Sequence, residues 1–278
     1  MTAAFSASLK SWKAKMPWNH RTHASIEGDS HVNEDTAGFA GNIAWVIDGA
    51  TPLWGSIGLL AASDPAWYAR EFARLLAETD LERVACQLKH DGGVPASSAD
   101  GRLAREVLRD ALVRMDALAG SIVGEERELF PSAAVTIALS VPGGIEVAAL
   151  ADCQAVILGG AGASDLGGVD QTVQHFGSGT WDRTSGKQTS LRSRPAEERE
   201  RLTQERRDRN KPGTVWVARR EPEAADHARA AFFPGATGVV LASDGAWRAV
   251  ELGIVDGARF CHRCQRATRP YKPPGRIA

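Results

Sequence analysis

The sequence predicts an α+β domain layered on antiparallel sheet, and three observations predict it. Short apolar runs of strand character recur along the chain, as in IAWVI, QAVIL and GVVLA. SAAVTIALS (132–140) and GGIEVAALA (143–151) meet through a Pro142-Gly143-Gly144 turn, which reads as a hairpin. The helical patterns cluster instead of alternating with strands, which argues against a doubly wound parallel sheet.

Taken in order, the first strand leaves Gly41, with Ile43, Trp45 and Ile47 alternating up to Asp48. Asp64-Pro65 opens a helix, with Asp64 as cap and Pro65 at the first helical position. Trp67, Tyr68, Phe72, Leu75 and Leu76 give that helix an apolar face. KHDGGVPASSADG reads as a loop. A second helix runs from Arg102 to Ala119 on a stripe from Leu103 to Leu118, with Gly120 as its cap. After the hairpin, QAVIL (154–158) is a strand followed by a glycine-rich loop. PAEERERLTQERRDRN (195–210) is a charged helix with little apolar face, which places it on the surface. TVWVA (214–218) and TGVVLAS (237–243) are the last strands.

The chain has 278 residues, is 43% hydrophobic and 24% charged, and carries a formal net charge of −1. That length suits one large domain with a sizeable core. The charge balance leaves no footprint for nucleic acid or a membrane surface. No run approaches the roughly 18 apolar residues that span a bilayer. Four cysteines are too few for a disulfide framework at this size. The expectation is a monomeric cytoplasmic protein.

Three apolar strands each end in an aspartate: WVIDGA at Asp48, EVAALAD at Asp152 and VVLASDG at Asp244. Asp-Gly is an ordinary turn dipeptide, so each site alone reads first as a turn. Gathered at one sheet edge, such carboxylates repel one another, and a divalent cation offsets that repulsion. Magnesium and manganese prefer oxygen ligands of this kind.

In order, NED (33–35), VIDGA, ALADC and LASDG resemble the metal-dependent protein phosphatases of type 2C, in their bacterial branch. The resemblance covers residues 28–256, with 1–27 as a lead-in and 257–278 as an irregular tail. It implies two antiparallel β-sheets packed face to face, flanked by helices. It implies two Mg2+ or Mn2+ ions, with a third, weaker site. Asp48 would bridge both ions, with the Gly49 carbonyl and Asp244 as further ligands. Glu34 and Asp35 would act at the edge of the cluster, and Asp152 would serve the third site. Asp35, Asp48 and Asp244 are the implied catalytic residues. The implied reaction is hydrolysis of phosphoserine or phosphothreonine in a phosphoprotein by metal-activated water. The alternative is an inactive phosphatase-like regulatory or binding module. A sugar- or nucleotide-phosphate hydrolase on the same metals is a third reading. The charged helix at 195–210 reads as solvated, and the resemblance also allows it to be a substrate-facing flap, since the family places variable insertions near the cleft.

The sequence departs from the family pattern at several points. Many members carry an arginine four residues before the NED glutamate, where it grips phosphate. Ser30 stands there, and Arg21 and His31 are the nearby substitutes. Ala50 follows the DG where other members have histidine, and G-D-S becomes Ala151-Asp152-Cys153. No late aspartate in a D-N or D-D-A context follows Asp256, and the expectation is a family C-terminus lost by truncation or a shifted frame.

Cys261-x-x-Cys264 is half a zinc site without a second half at proper spacing. GSGTWDRTSGKQ fails the P-loop pattern at both ends. Cys153 reads as a packed thiol, and Trp45, Trp67 and Trp216 as core.

Overall fold

A computed structural model describes residues 18, 21, 23–25, 32–50, 56–90, 100–123, 127–160, 174–176, 195–257 and 259–260. Among the described residues, eight strands form two sheets. β1 (Asp35–Ala40), β2 (Ile43–Gly49), β3 (Ala133–Val141), β4 (Gly144–Leu150) and β7 (Arg229–Pro234) make a five-stranded sheet in the order β1-β2-β3-β4-β7. β6 (Gln174–Phe176), β5 (Gln154–Gly159) and β8 (Ala236–Ala242) make the second, in that order. Every neighbouring pair is antiparallel.

Side-chain parity explains why β3 and β4 are buried on both faces. Val135, Ile137, Leu139, Ala148 and Leu150 pack into one cluster with the helices. Ala138, Ile145, Val147 and Ala149 point the other way, onto Ala155, Ile157, Val239 and Leu241 of the second sheet. The period of two along each strand delivers alternate residues to opposite faces, so a strand covered on both sides reads as one apolar run. The fold class is therefore α+β with two antiparallel sheets packed face to face, as expected.

Three helices cover the outer face of the larger sheet: α1 (Asp64–Ala77), α2 (Leu81–His90) and α3 (Arg102–Val123). Tyr68, Phe72 and Leu76 of α1 and Leu108, Leu112 and Met115 of α3 are fully buried there. The Tyr68 and Phe72 rings stack at 5.7 Å. Glu146, on the helix-facing parity of β4, accepts from the Ala104 amide at 3.0 Å in the first turn of α3. A carboxylate at a helix N-terminus meets orphan amides and the positive end of the dipole.

α4 (Ala196–Asp208) and α5 (Asp244–Glu251) lie outside that layer. The chain passes from β7 to β8 through Gly235 alone, at φ +69°, so two consecutive strands belong to different sheets. The Gly235 amide donates to the Gly143 carbonyl at 2.7 Å and pins this corner to the β3–β4 turn.

Several local expectations change. β1 and β7 are strands that the apolar patterns did not mark, and α2 is a third helix. Ser63, not Asp64, caps α1: its hydroxyl accepts from the Ala66 amide at 3.2 Å. Asp64 instead accepts from the Ile57 amide at 2.7 Å and the Leu59 amide at 3.0 Å, and so ties down the preceding loop. α3 continues through Gly120 to Val123. Residues 214–218 form no strand; Ala218 bridges Ala133 only. From Val135 onward that side of β3 is taken by β4, so nothing remains for 214–217 to pair with. Trp45 is core, while Trp67 and Trp216 are half-buried against it. The P-loop-like stretch at 177–188, most of the glycine-rich run after Gly160, Ser30, His31 and the Cys261–Cys264 pair lie outside the described residues. Among the described residues no helix is long and apolar enough to cross a membrane.

Candidate functional site

Strand direction gathers the acidic residues. β1 begins at Asp35, β2 ends at Gly49, β3 begins at Ala133 and β4 ends at Leu150, so all four termini lie at one end of the larger sheet. In the second sheet Gln154 pairs with Ala242, which brings the start of β5 and the end of β8 to the same end. Asp152 lies on the turn between β4 and β5, and Asp244 opens α5 just after β8.

Asp35 and Asp48 are direct cross-strand partners in the register of β1 and β2. Asp48 shares the parity of Val46, which packs with Ala134 and the buried Cys153 on the face toward the second sheet. The carboxylates therefore meet between the two layers. Burial, then the charge of Asp35, then a hydrogen bond and charge from Asp244, then the charge of Asp152, push Asp48 up to about 9. Burial and the neighbouring Asp244 also raise Asp35, against hydrogen bonds from Ser243 and Asp48. Burial and Asp244 raise Asp152, while Arg209 pulls it back. Four carboxylates distant in sequence share one electrostatic neighbourhood, and the raised Asp48 carboxyl is its signature. Burial and the same four carboxylates push the Cys153 thiol well up, which suits a packed thiol and not a nucleophile.

Two helix starts hold the acids in place. The Ser63 hydroxyl, at the head of α1, donates to Glu34 Oε1 at 2.7 Å. The Ser243 hydroxyl, at the head of α5, donates to Asp35 Oδ2 at 2.7 Å. Each bond fixes one carboxylate oxygen in place. The Gly49 amide donates to the Glu34 carbonyl at 3.2 Å. A Cβ on Gly49 would stand 2.6 Å from that carbonyl oxygen and 3.0 Å from Pro65 Cβ. Glycine is required there by the closeness of Glu34, not by a left-handed backbone. Ala151, just before Asp152, does adopt a left-handed conformation, at φ 61°.

The donor set suits a hard divalent cation: every side chain donor is a carboxylate oxygen, and their mutual repulsion calls for positive charge. Among the described residues, though, no three acidic, histidine or cysteine side chains converge as a ready-made metal cage. The carboxylates are neighbours whose rotamers would have to close on an ion.

α4 corrects the expectation of a purely solvated helix. No residue of it is fully buried, yet Arg206 and Arg209 turn one face inward. Arg209 Nη1 donates to the Ser132 hydroxyl at 2.7 Å, and the Ser132 carbonyl accepts from the Ala50 amide at 2.9 Å. Arg209 thus sits one residue from the Asp48-Gly49 turn. Burial, with Arg206 and Arg219 close by, pushes Arg209 down to about 9, against the attraction of Asp152. Burial pushes Arg206 down to about 10, against the attraction of Glu34. Arg21 is elsewhere: it is exposed and lies over the Phe39 ring at 5.4 Å. Phe39 is four residues along β1 from Asp35, roughly 13 Å at strand rise.

Sequence reasoning did not single out Ser63, Ser132, Ser243, Arg206 or Arg209. A serine one residue earlier in Ser63-Asp64-Pro65 was a usable capping signal. The arginines gave none, because a helix without an apolar stripe does not announce which face turns inward.

No family model matches the chain, and no curated protein matches it. Among solved structures it is similar to the serine/threonine phosphatase Stp1 from Staphylococcus aureus, at 13% identity over 90% of this chain and 89% of that one, with a TM-score of 0.45. It is similar to the Mycobacterium tuberculosis serine/threonine phosphatase PstP/Ppp, at 13% identity over 91% and 92%, with a TM-score of 0.43. A third is PppA, a regulatory component of T6SS in Pseudomonas aeruginosa, at 14% identity over 87% and 80%, with a TM-score of 0.40. Likeness at this level carries no argument about the chemistry of this chain, which rests on its own register and side chains.

Proposed function

We propose that residues 28–256 form a metal-dependent phosphatase that hydrolyses phosphoserine or phosphothreonine in protein substrates. The observation that carries the reading is the Asp35–Asp48 cross-strand pair, placed where Asp152 and Asp244 also arrive. In this reading Asp48, Asp244 and the Gly49 carbonyl would hold Mg2+ or Mn2+, Glu34 and Asp35 would act at the edge of the cluster and Asp152 would serve a weaker third position. Bound divalent cations would neutralise phosphate charge and favour deprotonation of water. The chain's own contribution is orientation. Ser63 fixes Glu34, Ser243 fixes Asp35, and the short Gly49–Glu34 contact holds the β1 and β2 ends together. Asp48 must give up its proton for a cation to bind. Cys153 stays sealed in the layer and takes no covalent part.

A second reading, a phosphate-binding or regulatory module without turnover, is favoured by one observation: among the described residues no three side chains enclose an ion as they stand. Isothermal titration with Mn2+ on the wild type and Asp48→Ala, alongside hydrolysis of p-nitrophenyl phosphate, separates the two. The phosphatase reading expects Mn2+ uptake and metal-dependent turnover, both lost in Asp48→Ala. Uptake without turnover supports the second reading, and a wild type that takes up no Mn2+ sinks the first.

A further inference from the structure

We propose that Arg209, at the C-terminal cap of α4, with Arg206 from the last turn of that helix nearby, grips the phosphoryl oxygens of the substrate at the acidic end of the sandwich. This rests on the phosphatase reading and adds to it the residues that bind phosphate.

Position is the first argument. The Arg209–Ser132–Ala50 chain of hydrogen bonds anchors this guanidinium to the turn that carries Asp48. Arg206 lies in the last turn of α4 and Arg209 caps its end, and the charge of Arg206 is close enough to act on Arg209. Arg207, between them, is exposed.

Charge is the second argument. Arg209 forms no ion pair among the described residues, although Asp152 is near enough to influence it. The neighbouring Arg219 is already held by Glu221 at 2.5 Å. The charges of Arg206 and Arg219 act against that of Arg209, and an anion that joins Arg209 offsets them. A phosphate monoester dianion offers oxygens that match the forked donors of arginine. The acidic cluster beside them would repel that dianion without cations, so arginines and bound metal together complete a site that neither supplies alone.

Support is the third argument. The chain after α4 is braced from below. Arg219 Nη2 donates to the Arg209 carbonyl at 3.3 Å, and Asn210 Nδ2 donates to Glu221 Oε2 at 3.0 Å. Asn210 Oδ1 accepts from the Val217 amide at 2.7 Å. The helix ends at Asp208, Arg209 is extended, and Asn210 is left-handed at φ 62°, so the chain changes direction just after Arg209. A surface arginine serving only solubility would not need this bracing.

The test measures steady-state hydrolysis of p-nitrophenyl phosphate with saturating Mn2+, inhibition by inorganic phosphate, and Mn2+ binding by calorimetry. The variants are Arg209→Ala, Arg209→Lys, Arg206→Ala and, as a control, the exposed Arg201→Ala, whose partner is Glu205. Arg209→Ala is expected to lower kcat/KM and weaken inhibition by inorganic phosphate by about tenfold to a hundredfold, the loss typical of a charge-assisted forked contact. Mn2+ affinity should stay unchanged. Arg209→Lys keeps the charge but not the fork and should fall between. Arg206→Ala should show a smaller loss in the same direction. An active wild type whose Arg209→Ala and Arg206→Ala variants keep both KM and phosphate inhibition overturns this proposal alone. A wild type without Mn2+ uptake or turnover overturns the phosphatase reading, and this proposal with it.

Discussion

Glu146 offers a test of the fold that does not depend on any metal. Its side chain is fully buried, and burial pushes its carboxyl up to about 7 despite amides of Ala104 and Leu103 that favour the charged form. The ordinary value is 4.5. The folded state therefore holds this proton more tightly than the unfolded chain does. Stability from Glu146 is fully present below about 4.5, declines as pH rises, and is lost by the time pH passes about 7. At about 1.4 kcal/mol for each tenfold change in proton affinity, the span is worth about 3 kcal/mol. Glu146→Gln keeps an acceptor for the Ala104 amide but adds an amide group where Oε1 has no hydrogen-bond partner, at a cost of about 1–2 kcal/mol. The variant should be the less stable protein at pH 5 and the more stable one at pH 8. Urea unfolding of both proteins across that range reads the difference directly, and titrations common to both cancel. The difference should swing by about 3 kcal/mol in favour of Glu146→Gln as pH rises. A difference that stays constant within about 0.5 kcal/mol would show that the carboxyl is already charged in the fold across this range, and the burial argument would fail.

Three further outcomes are expected. Ala151→Gly should stabilise the protein by about 0.5–1 kcal/mol in the same urea assay, because Ala151 holds φ 61° and glycine does so without a clash; no gain would mean the turn relaxes around alanine at no cost. Gly49→Ala should destabilise by about 1–3 kcal/mol and weaken the Mn2+ heat, since its Cβ would meet the Glu34 carbonyl at 2.6 Å and push the β1 end away from β2; unchanged stability would show that the two strand ends are not held this close. Glu221→Ala leaves the buried Arg219 unpaired and should cost about 3 kcal/mol, with weaker phosphate inhibition as the Arg209 support loosens; a loss below about 1 kcal/mol would show that water replaces the carboxylate.

Four of the five strands that proved legible are buried on both faces; β8, read from TGVVLAS, is half-buried along most of its length. β2, β3 and β4 are continuous apolar text because one face meets helices and the other the second sheet, and β5 lies between the first sheet and Trp247 of α5. β1 and β7 are edge strands of the larger sheet and are half-buried along most of their length. Their text, DTAGFA and RAAFFP, carries no such run, and only pairing with β2 and β4 makes them strands. Residues 214–218 failed in the opposite way. Their alternation suits a strand, but the edge they would need is already occupied by β4.

The same division holds at the candidate site. An apolar strand that ends in a carboxylate is a local pattern, and it marked Asp48, Asp152 and Asp244, while Glu34, Asp35 and Gly49 were marked only by the resemblance of NED and DG to the phosphatase motifs. Only the antiparallel register could decide that Asp35 and Asp48 face each other and that Asp152 and Asp244 arrive at the same end. Ser63, Ser132 and Ser243 are ordinary turn and cap residues until the strands bring an acid or an arginine within reach of their hydroxyls. Arg206 and Arg209 lie in a run of mixed charge that reads as solvated whichever way it faces. What turned them inward was the docking of α4 beside the Ser132–Ala50 contact, an event between elements more than 70 residues apart that no local pattern encodes.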